Sequence, residues 1–315
     1  MFPINGYQLN SMGDMWKLKV IVQFILSKMP LGEKLNYIFQ KLNNSHNAEE
    51  TKKKIFGLLA LIKKTEKYQS VQNASVVEIG TGWQPIYSLL LYLLGAQIIY
   101  SYDHLRHVRF GLTTMIIQCI GKSLDEISEI TSVPKSILVK RLKVIKDCSS
   151  LEELFSKANI IYIAPGDASK TDLENETIDI VFSYNVLEHI SKEIIYNLIL
   201  ESKRILKESG IAIHIIGLYD HYATFDKKIT KVNFLKFSEF WWTFFVLNTI
   251  SYHNRLREKQ FLKIFEQHGA KIISVENRID PDDLKKLKTM KIDKSFQGMS
   301  FEELAIHRSE IILSF

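Results

Sequence analysis

The amino-acid sequence predicts an α/β fold: a doubly wound, seven-stranded, mostly parallel sheet with an N-terminal helical extension and helical insertions. First, short β-branched runs alternate with helical segments from Ser75 onward, which is typical of a parallel sheet covered on both faces. Second, a glycine loop, Gly80-Thr81-Gly82, directly follows the first of these runs. Third, the 315 residues are 46% hydrophobic and 24% charged, which is the composition of an ordinary globular protein.

The first 70 residues predict a helical extension without strand signals. Met15–Met29 places apolar side chains at helical spacing with lysines on the other face. Leu31–Leu42 and Glu49–Tyr68 predict two further helices. We expect residues 1–70 to form a cap on the main domain, residues 71–315. Because Met15–Met29 is basic and amphipathic, binding of this helix to a membrane surface stays open as an alternative.

Seven apolar runs predict the strands of the sheet. In chain order they are Ser75–Ile79, Gln97–Tyr102, Asn159–Ile163, Ile178–Tyr184, Ile211–Ile216, Lys271–Val275 and Ser309–Phe315. Two connections are too long for simple loops: residues 105–158 have room for two or three helices, and residues 218–259 are rich in aromatic side chains. Such insertions are usually lids or added helices. The helix after the fourth strand is expected to run through Lys207 to a C-terminal glycine, Gly210.

The net charge of +6 does not predict a nucleic-acid partner. Only eight of the 41 basic residues are arginines and the lysines are scattered, so solvated helix faces are favoured over a phosphate-binding track. Cys119 and Cys148 give neither a disulfide framework nor metal-ligand spacing, which fits a reducing compartment. No signal peptide and no apolar run of the ~20 residues that a membrane span needs is evident. We expect a cytoplasmic protein without a metal site, and leave a homodimer open.

Glycines and carboxylates at the ends of the first three strands predict a ligand site. Ligands of open α/β sheets bind at the carboxyl ends of the strands, where the strand order reverses. Glu78 and the glycine loop end the first strand, and the glycines let the backbone approach a ligand closely. Asp103 ends the second strand, where a carboxylate can accept from both ribose hydroxyls. Gly166-Asp167-Ala168 follows the third strand.

The fourth strand carries the most specific motif, IDIVFSYNVLEHI over Ile178–Ile190. It resembles the class I (Rossmann-like), type-11 family of S-adenosylmethionine-dependent methyltransferases, whose fourth strand ends in a similar D-x-V-x-S-x-x-V-L-E-H-I run. The resemblance covers residues 70–218 well and 260–315 more loosely. The loop departs from the family pattern at Gln84, where a third glycine is expected, and from the nicotinamide-binding pattern at Pro85.

The resemblance implies that S-adenosylmethionine is the cofactor and that four strand ends hold it. The implied cofactor residues are Glu78, Gly80, Thr81, Gly82, Asp103, His104, Gly166, Asp167, Ala168, Ser183, Tyr184 and Asn185. Glu78 and the two loop glycines would hold the methionine part, and Asp103 the ribose. Asp167 with Ala168 would hold the adenine, and Ser183–Asn185 would face the sulfonium.

Two histidines are predicted as bases, because a hydroxyl or ammonium acceptor must lose a proton and imidazole titrates near neutrality. His221 follows the fifth strand, and His189 lies in the Glu-His-Ile turn. The alternatives are an exposed loop position for His221 and a structural role for His189. The predicted substrate contacts are Tyr222, Trp242, Arg255 and Arg257. The arginines would clamp an anion. Trp242, with Trp241, Phe244 and Phe245, also fits one face of a buried helix.

The sequence therefore predicts methyl transfer from S-adenosylmethionine to a hydroxyl or amine of a small molecule, of the sugar or secondary-metabolite type. Two alternatives remain. One is a nicotinamide-dependent dehydrogenase, which shares the acidic residue after the second strand. The other is a methyltransferase-fold binding or regulatory module that associates with a membrane surface or RNA without turnover.

Overall fold

The computed structural model describes residues 15–29, 47–246 and 252–315. The predicted helix over Leu31–Leu42 lies outside these residues. The seven strands are β1 (Ser75–Ile79), β2 (Ile98–Tyr102), β3 (Ile160–Ile163), β4 (Ile178–Tyr184), β5 (Leu206–Gly217), β6 (Lys271–Ile279) and β7 (Ile306–Ser314). They form one sheet in the order β3-β2-β1-β4-β5-β7-β6.

The first five strands pair in parallel, whereas β7 is antiparallel to both β5 and β6. The predicted α/β class with a seven-stranded, mostly parallel sheet is thereby confirmed. The strand order reverses between β1 and β4, which lie side by side with Ile79 opposite Ser183. The carboxyl ends of these two strands therefore flank the crevice where ligands of such sheets bind.

Helices cover both faces of the sheet. They are α1 (Met15–Ser27), α2 (Ala48–Thr65), α3 (Ile86–Leu94), α4 (Phe110–Lys122), α5 (Leu124–Thr131), α6 (Lys135–Lys146), α7 (Leu151–Lys157), α8 (Lys192–Ile205), α9 (Glu239–Val246), α10 (Glu258–Gln267), α11 (Pro281–Leu287) and α12 (Phe301–Ala305). Short 3₁₀ turns cover Leu187–His189, His221–Thr224, Asn233–Lys236 and Lys294–Phe296. Among the helices described, none is both long and apolar enough to cross a membrane.

Two predictions about the helices were wrong: where the helix after β4 ends, and how many helices residues 105–158 form. The helix after β4 ends at Ile205 and does not continue to Gly210, because Leu206 is extended, buried and paired with Ile178 in the sheet. Gly210 instead passes close to β4, where a Cβ atom would lie 3.1 Å from the Ile178 carbonyl oxygen. The insertion at 105–158 holds four helices rather than two or three, because Ser132 adopts a left-handed conformation that ends α5.

The two described helices of the N-terminal extension pack against different parts of the chain. Ile55 and Leu59 of α2 are fully buried in the core on one face of the sheet. Trp16 of α1 is buried in a separate cluster with Tyr222 and Trp242 of the second insertion. The opposite side of α1 exposes apolar residues, including Ile21. Its predicted binding to a membrane surface stays a prediction.

Candidate cofactor and acceptor sites

A pocket of about 300 Å³ lies at the carboxyl ends of β1, β2 and β3. Six of the predicted cofactor residues line it: Gly80, Asp103, His104, Gly166, Asp167 and Ala168. Its other wall is apolar and comes from Val186, Ile190, Ile194 and Leu198. This wall was not predicted, although Ile194 and Leu198 have the i,i+4 spacing of one helix face. A polar floor beneath an apolar wall suits a flat, hydrogen-bonding ring such as a purine.

Gly80 has both a conformation and a position that exclude a side chain. Its φ is +79°, and a Cβ atom there would lie 2.4 Å from Cγ2 of Val186, a residue of the apolar wall. The Gly80 N–H donates to the carbonyl oxygen of Tyr102 at 2.8 Å, which holds the loop against the end of β2. Gly80 therefore lies close to the side chain of Val186. Its predicted close approach to a ligand stays a prediction.

Asp103 is a buried carboxylate at the edge of the cofactor pocket. One oxygen accepts from the Gly82 N–H at 2.6 Å, and the other pairs with His104 Nδ1 at 2.9 Å. Burial alone would raise the pKa of this carboxyl, but the hydrogen bonds from His104 and Gly82 outweigh burial and lower it. Asp103 is thus ionised at neutral pH, the form that accepts best from hydroxyl donors.

Glu78 lies behind the glycine loop and does not line the pocket. Its Oε2 atom accepts from the hydroxyls of Ser88 and Ser101, and burial raises its pKa despite these bonds. Thr81 also turns inward, with its hydroxyl 2.6 Å from that of Ser101. The hydroxyls of two neighbouring elements thus hold the Oε2 atom on the inner side of the loop, and the contact of Glu78 with the methionine part stays a prediction.

Gln84, which departs from the family pattern, is held by the N-terminal extension. Its side-chain oxygen accepts from Lys54 Nζ at 2.9 Å, and its Nε2 donates to the hydroxyl of Thr51 at 3.2 Å. Both partners belong to α2, and Gln84 is buried. This contact, the Thr51–Lys54–Gln84 latch, ties the extension to the cofactor loop. Apart from the missing glycine at position 84, no sequence pattern indicated this contact.

We expect Lys54→Met to weaken cofactor binding by roughly 3- to 10-fold, because one hydrogen bond that holds the loop contributes about 1 kcal/mol. Calorimetric titration with S-adenosylhomocysteine would measure the change. Lys52→Met is the matched control, since Lys52 lies on the same helix, pairs with the exposed Glu126 at 3.6 Å and lies over the ring of Phe56. Equal affinity of the two variants would contradict a role for the latch.

The predicted sulfonium-facing residues lie in or just after β4, outside the lining of the cofactor pocket. The Ser183 hydroxyl is 2.8 Å from His214 Nδ1, and both residues are fully buried. The Tyr184 hydroxyl accepts from Arg308 at 2.8 Å. Asn185 has a φ of +54° and turns the chain into the following 3₁₀ turn. Their predicted contacts with the cofactor stay predictions.

Three imidazole rings meet beyond the ends of β4 and β5. The ring centroids are 4.9 Å apart for His189 and His221, and 4.4 Å apart for His221 and His253. Glu188 lies beside them, with Oε1 accepting from the Gly217 N–H at 3.0 Å. The two predicted histidines are thus brought together, and His253 joins them from the second insertion. Burial lowers the pKa values of His221 and His253 and raises that of Glu188 to about 8.

A second pocket, of about 550 Å³, opens on the other side of the Leu187–His189 turn. His253, Asn254 and Trp242 are among the residues that line it. The Asn254 amide donates to the carbonyl oxygens of Leu187 and Ile190 at 2.7 and 2.9 Å. Asn254 lines the second pocket and Ile190 lines the cofactor pocket, so the segment 187–190 lies between the two pockets.

The arginines predicted as anion clamps are occupied by the protein itself. Arg257 is buried and donates to the carbonyl oxygens of Leu218, Leu304 and Ile306. Arg255 lines the second pocket, but it donates to two carbonyls and pairs with Glu239 at 2.6 Å. Carbonyls of the insertion and of Leu304 and Ile306 take these donors, which argues against the predicted anion clamp.

The two aromatic substrate predictions have different outcomes in the structure. Trp242 lines the second pocket and is nearly fully buried, with Nε1 donating to the His253 carbonyl oxygen at 2.9 Å. Tyr222 instead packs on Trp16 at 5.9 Å between ring centroids and donates to Gln23 Oε1. Tyr222 is thus part of a buried cluster, whereas Trp242 is both buried and part of the pocket wall.

Residues 141–214 match the sequence profile of a family described as a methyltransferase domain. This segment runs from α6 through β3 and β4 into β5. These residues therefore carry the sequence pattern of a methyltransferase domain, in agreement with the resemblance. The search of curated proteins finds no match.

Solved structures similar to this chain include three proteins. The PH0226 protein from Pyrococcus horikoshii OT3 has a TM-score of 0.46 and 14% identity over 85% of this chain and 92% of that chain. An S-adenosylmethionine-dependent methyltransferase from Mesorhizobium loti has a TM-score of 0.43 and 13% identity over 78% and 92%. Geranyl diphosphate methyltransferase in complex with S-adenosylmethionine has a TM-score of 0.44 and 9% identity over 82% and 84%.

Proposed function

We propose that this chain, which carries the sequence pattern of a methyltransferase domain, transfers a methyl group from S-adenosylmethionine to a hydroxyl or amine of a small molecule. The observation that carries the proposal is the pocket at the strand ends. In this pocket the ionised carboxylate of Asp103 faces an apolar wall. Gly80 lines the same pocket, at a position where a Cβ atom would collide with Val186. These are the groups that a ribose-bearing, purine-bearing cofactor requires.

Asp103 holds the ribose hydroxyls of the cofactor, and Asp167 with Ala168 holds the adenine against the apolar wall. The glycine loop lets the chain approach the amino-acid part, with Gly80 held by Tyr102. S-adenosylmethionine, when bound, supplies a methyl group that is already activated on sulfur. The remaining tasks of the protein are to orient the acceptor, exclude water and accept a proton.

The second pocket holds the acceptor. Its volume of about 550 Å³ lies within the range of small-molecule sites, which supports a small acceptor over a nucleic acid. Trp242 and Tyr252 give it an aromatic lining, and His253 brings it next to the imidazole cluster. The hydrogen bond from Asn254 of this pocket to Ile190 of the cofactor pocket supports the proximity of acceptor and cofactor that in-line transfer requires.

An imidazole of the cluster accepts the proton that a hydroxyl or ammonium acceptor releases. His221 and His189 are the proposed groups. The Nδ1 atom of His189 donates to the Tyr252 carbonyl oxygen at 2.9 Å, so its Nε2 carries the lone pair that can accept. General bases of this kind contribute about 10²- to 10⁴-fold to a rate.

Calorimetric titration of the full chain tests the cofactor assignment. We expect saturable binding of both S-adenosylmethionine and S-adenosylhomocysteine, and no binding of NAD, which the dehydrogenase alternative requires. Absence of binding for both sulfur cofactors would overturn the proposal.

Cytoplasmic location, a homodimer, and a binding module without turnover stay predictions. Release of S-adenosylhomocysteine in the presence of acceptor mixtures would separate turnover from binding alone.

A further inference from the structure

Glu188, His189 and His221 converge because two 3₁₀ turns follow adjacent parallel strands, β4 and β5. Each residue offers one ligand atom, and the three atoms lie within 4.8 Å of one another. In a tetrahedral zinc site, with bonds of about 2.0–2.2 Å, ligand atoms lie about 3.4 Å apart. Side-chain shifts of about 1 Å therefore suffice to bring the three atoms onto one cation.

The hydrogen bonds of Glu188 leave one oxygen available. Its Oε1 accepts from the Gly217 N–H, whereas its Oε2 has no hydrogen-bond partner in the part of the chain that the structure describes. Only 1% of Glu188 is exposed. Nδ1 of His221 is likewise buried and has no partner among the described residues. Buried polar atoms of native proteins are nearly always paired, and a bound ion is one explanation for those that are not.

His189 is oriented in the way that metal-bound histidines are. Its Nδ1–H donates to the backbone carbonyl oxygen of Tyr252 at 2.9 Å, which fixes the tautomer and leaves the Nε2 lone pair available. Metal-ligating histidines almost always donate their other ring N–H to a carbonyl or carboxylate. This outer bond is an observation independent of the distances within the cluster.

A second group of titratable residues at the cofactor pocket does not compete for this assignment. Asp103, His104 and His107 also lie within reach of one another. However, Asp103 lines the cofactor pocket, and the proposed function assigns its carboxylate to the ribose hydroxyls.

We propose that Glu188, His189 and His221 bind a divalent transition-metal cation, such as zinc, in the wall between the cofactor and acceptor pockets. Two imidazoles and one carboxylate suit Zn²⁺, Fe²⁺ or Mn²⁺, whereas Ca²⁺ and Mg²⁺ prefer all-oxygen sites. Three protein ligands leave a coordination position open, which is the mark of a catalytic rather than a structural metal site.

The role of such a cation deepens, and rests on, the proposed function. An acceptor hydroxyl that reaches the cluster past His253, which lines the acceptor pocket and packs on His221, would meet the open position, and the cation would favour its ionised form. The hydroxyl proton then leaves to solvent. The oxygen forms the new C–O bond with the methyl carbon while the S–C bond breaks, and neutral S-adenosylhomocysteine is released. His221 would then act as a ligand, and the cation would replace an imidazole base.

Metal binding is measured on the full, untagged chain after treatment with a chelator, without cofactor. We expect titration with ZnCl₂ to show one saturable equivalent, and Co²⁺ to give the visible absorption of a low-coordinate site. His189→Gln and Glu188→Gln should each lower the Zn²⁺ affinity by more than about 100-fold, because loss of even an outer-shell partner costs about 10- to 100-fold. His189 is exposed, so its substitution should leave the fold intact.

His268→Gln is the matched control. Like His189, His268 donates its Nδ1–H to a backbone carbonyl oxygen, that of Ile264 at 2.8 Å, but its ring packs on Tyr196 outside the cluster. This variant should keep the wild-type Zn²⁺ affinity. Absence of saturable binding, or wild-type affinity in folded His189→Gln, would overturn the metal proposal. Cofactor binding is titrated separately, so that Zn²⁺ binding without cofactor binding would contradict the proposed function and not the metal site.

Discussion

Replacing Asp103 by Asn should lower the affinity for S-adenosylhomocysteine by at least about 100-fold. The carboxylate is buried and ionised, since its pKa is lowered by His104 and Gly82 against the effect of burial. Hydrogen bonds to a charged group contribute about 1.5–3 kcal/mol each, and two ribose hydroxyls would use two of them. Asparagine keeps the volume and can still accept from the Gly82 N–H, so the loop should be retained.

Calorimetric titration measures this effect, and a thermal melt establishes that the variant is folded. Asp125→Asn is the control, since Asp125 is an exposed carboxylate paired with Lys135 on the helical insertion. It should bind like the wild-type chain. Wild-type affinity in folded Asp103→Asn would contradict the assignment of Asp103 to the ribose, and would remove the main support for a nucleoside cofactor in this pocket.

Replacing Gly80 by Ala should abolish measurable cofactor binding. An L-residue in the left-handed region costs about 1–2 kcal/mol, and the new methyl group would lie 2.4 Å from Val186 Cγ2. Val186 must then move, and it lines the cofactor pocket. The loss of binding should therefore exceed the loss of stability, which titration and thermal unfolding measure separately.

Gly111→Ala is the control for Gly80→Ala. Gly111 lies in α4 with no heavy atom within 4 Å of a built Cβ, so alanine there should stabilise by about 0.5–1 kcal/mol. Combining Gly80→Ala with Val186→Ala should restore part of the binding, because the second change removes the steric conflict. If Gly80→Ala alone binds normally, the loop is more tolerant than its geometry indicates.

The sequence predicted the site residues whose place is set by their position at the end of a strand. Gly80, Asp103 and Asp167 line one pocket because the carboxyl ends of parallel strands meet at one edge. Strand ends are defined by local pattern, so their meeting point follows from the fold class alone. The grouping of His189 with His221 follows the same rule, since both residues come directly after neighbouring strands.

Side-chain partners from distant segments could not be predicted. Arg257 has the charge of an anion clamp, but its partners are carbonyl oxygens up to 49 residues away. Glu78 has the position of a ligand contact, yet Ser88 and Ser101 turn it inward. His253 joins the cluster from an insertion whose path no local pattern determines. In each case the partner is chosen by tertiary packing, which periodicity and spacing do not encode.

The Thr51–Lys54–Gln84 latch makes the N-terminal extension a thermodynamic partner of the cofactor. If docking of α2 favours the loop conformation that binds the cofactor, then by linkage the cofactor must favour docking of α2 by the same free energy. Amide hydrogens of α2 should then exchange more slowly with solvent when the cofactor is bound. A macromolecule or surface that held the extension would, through the same coupling, adjust how tightly the chain retains its cofactor.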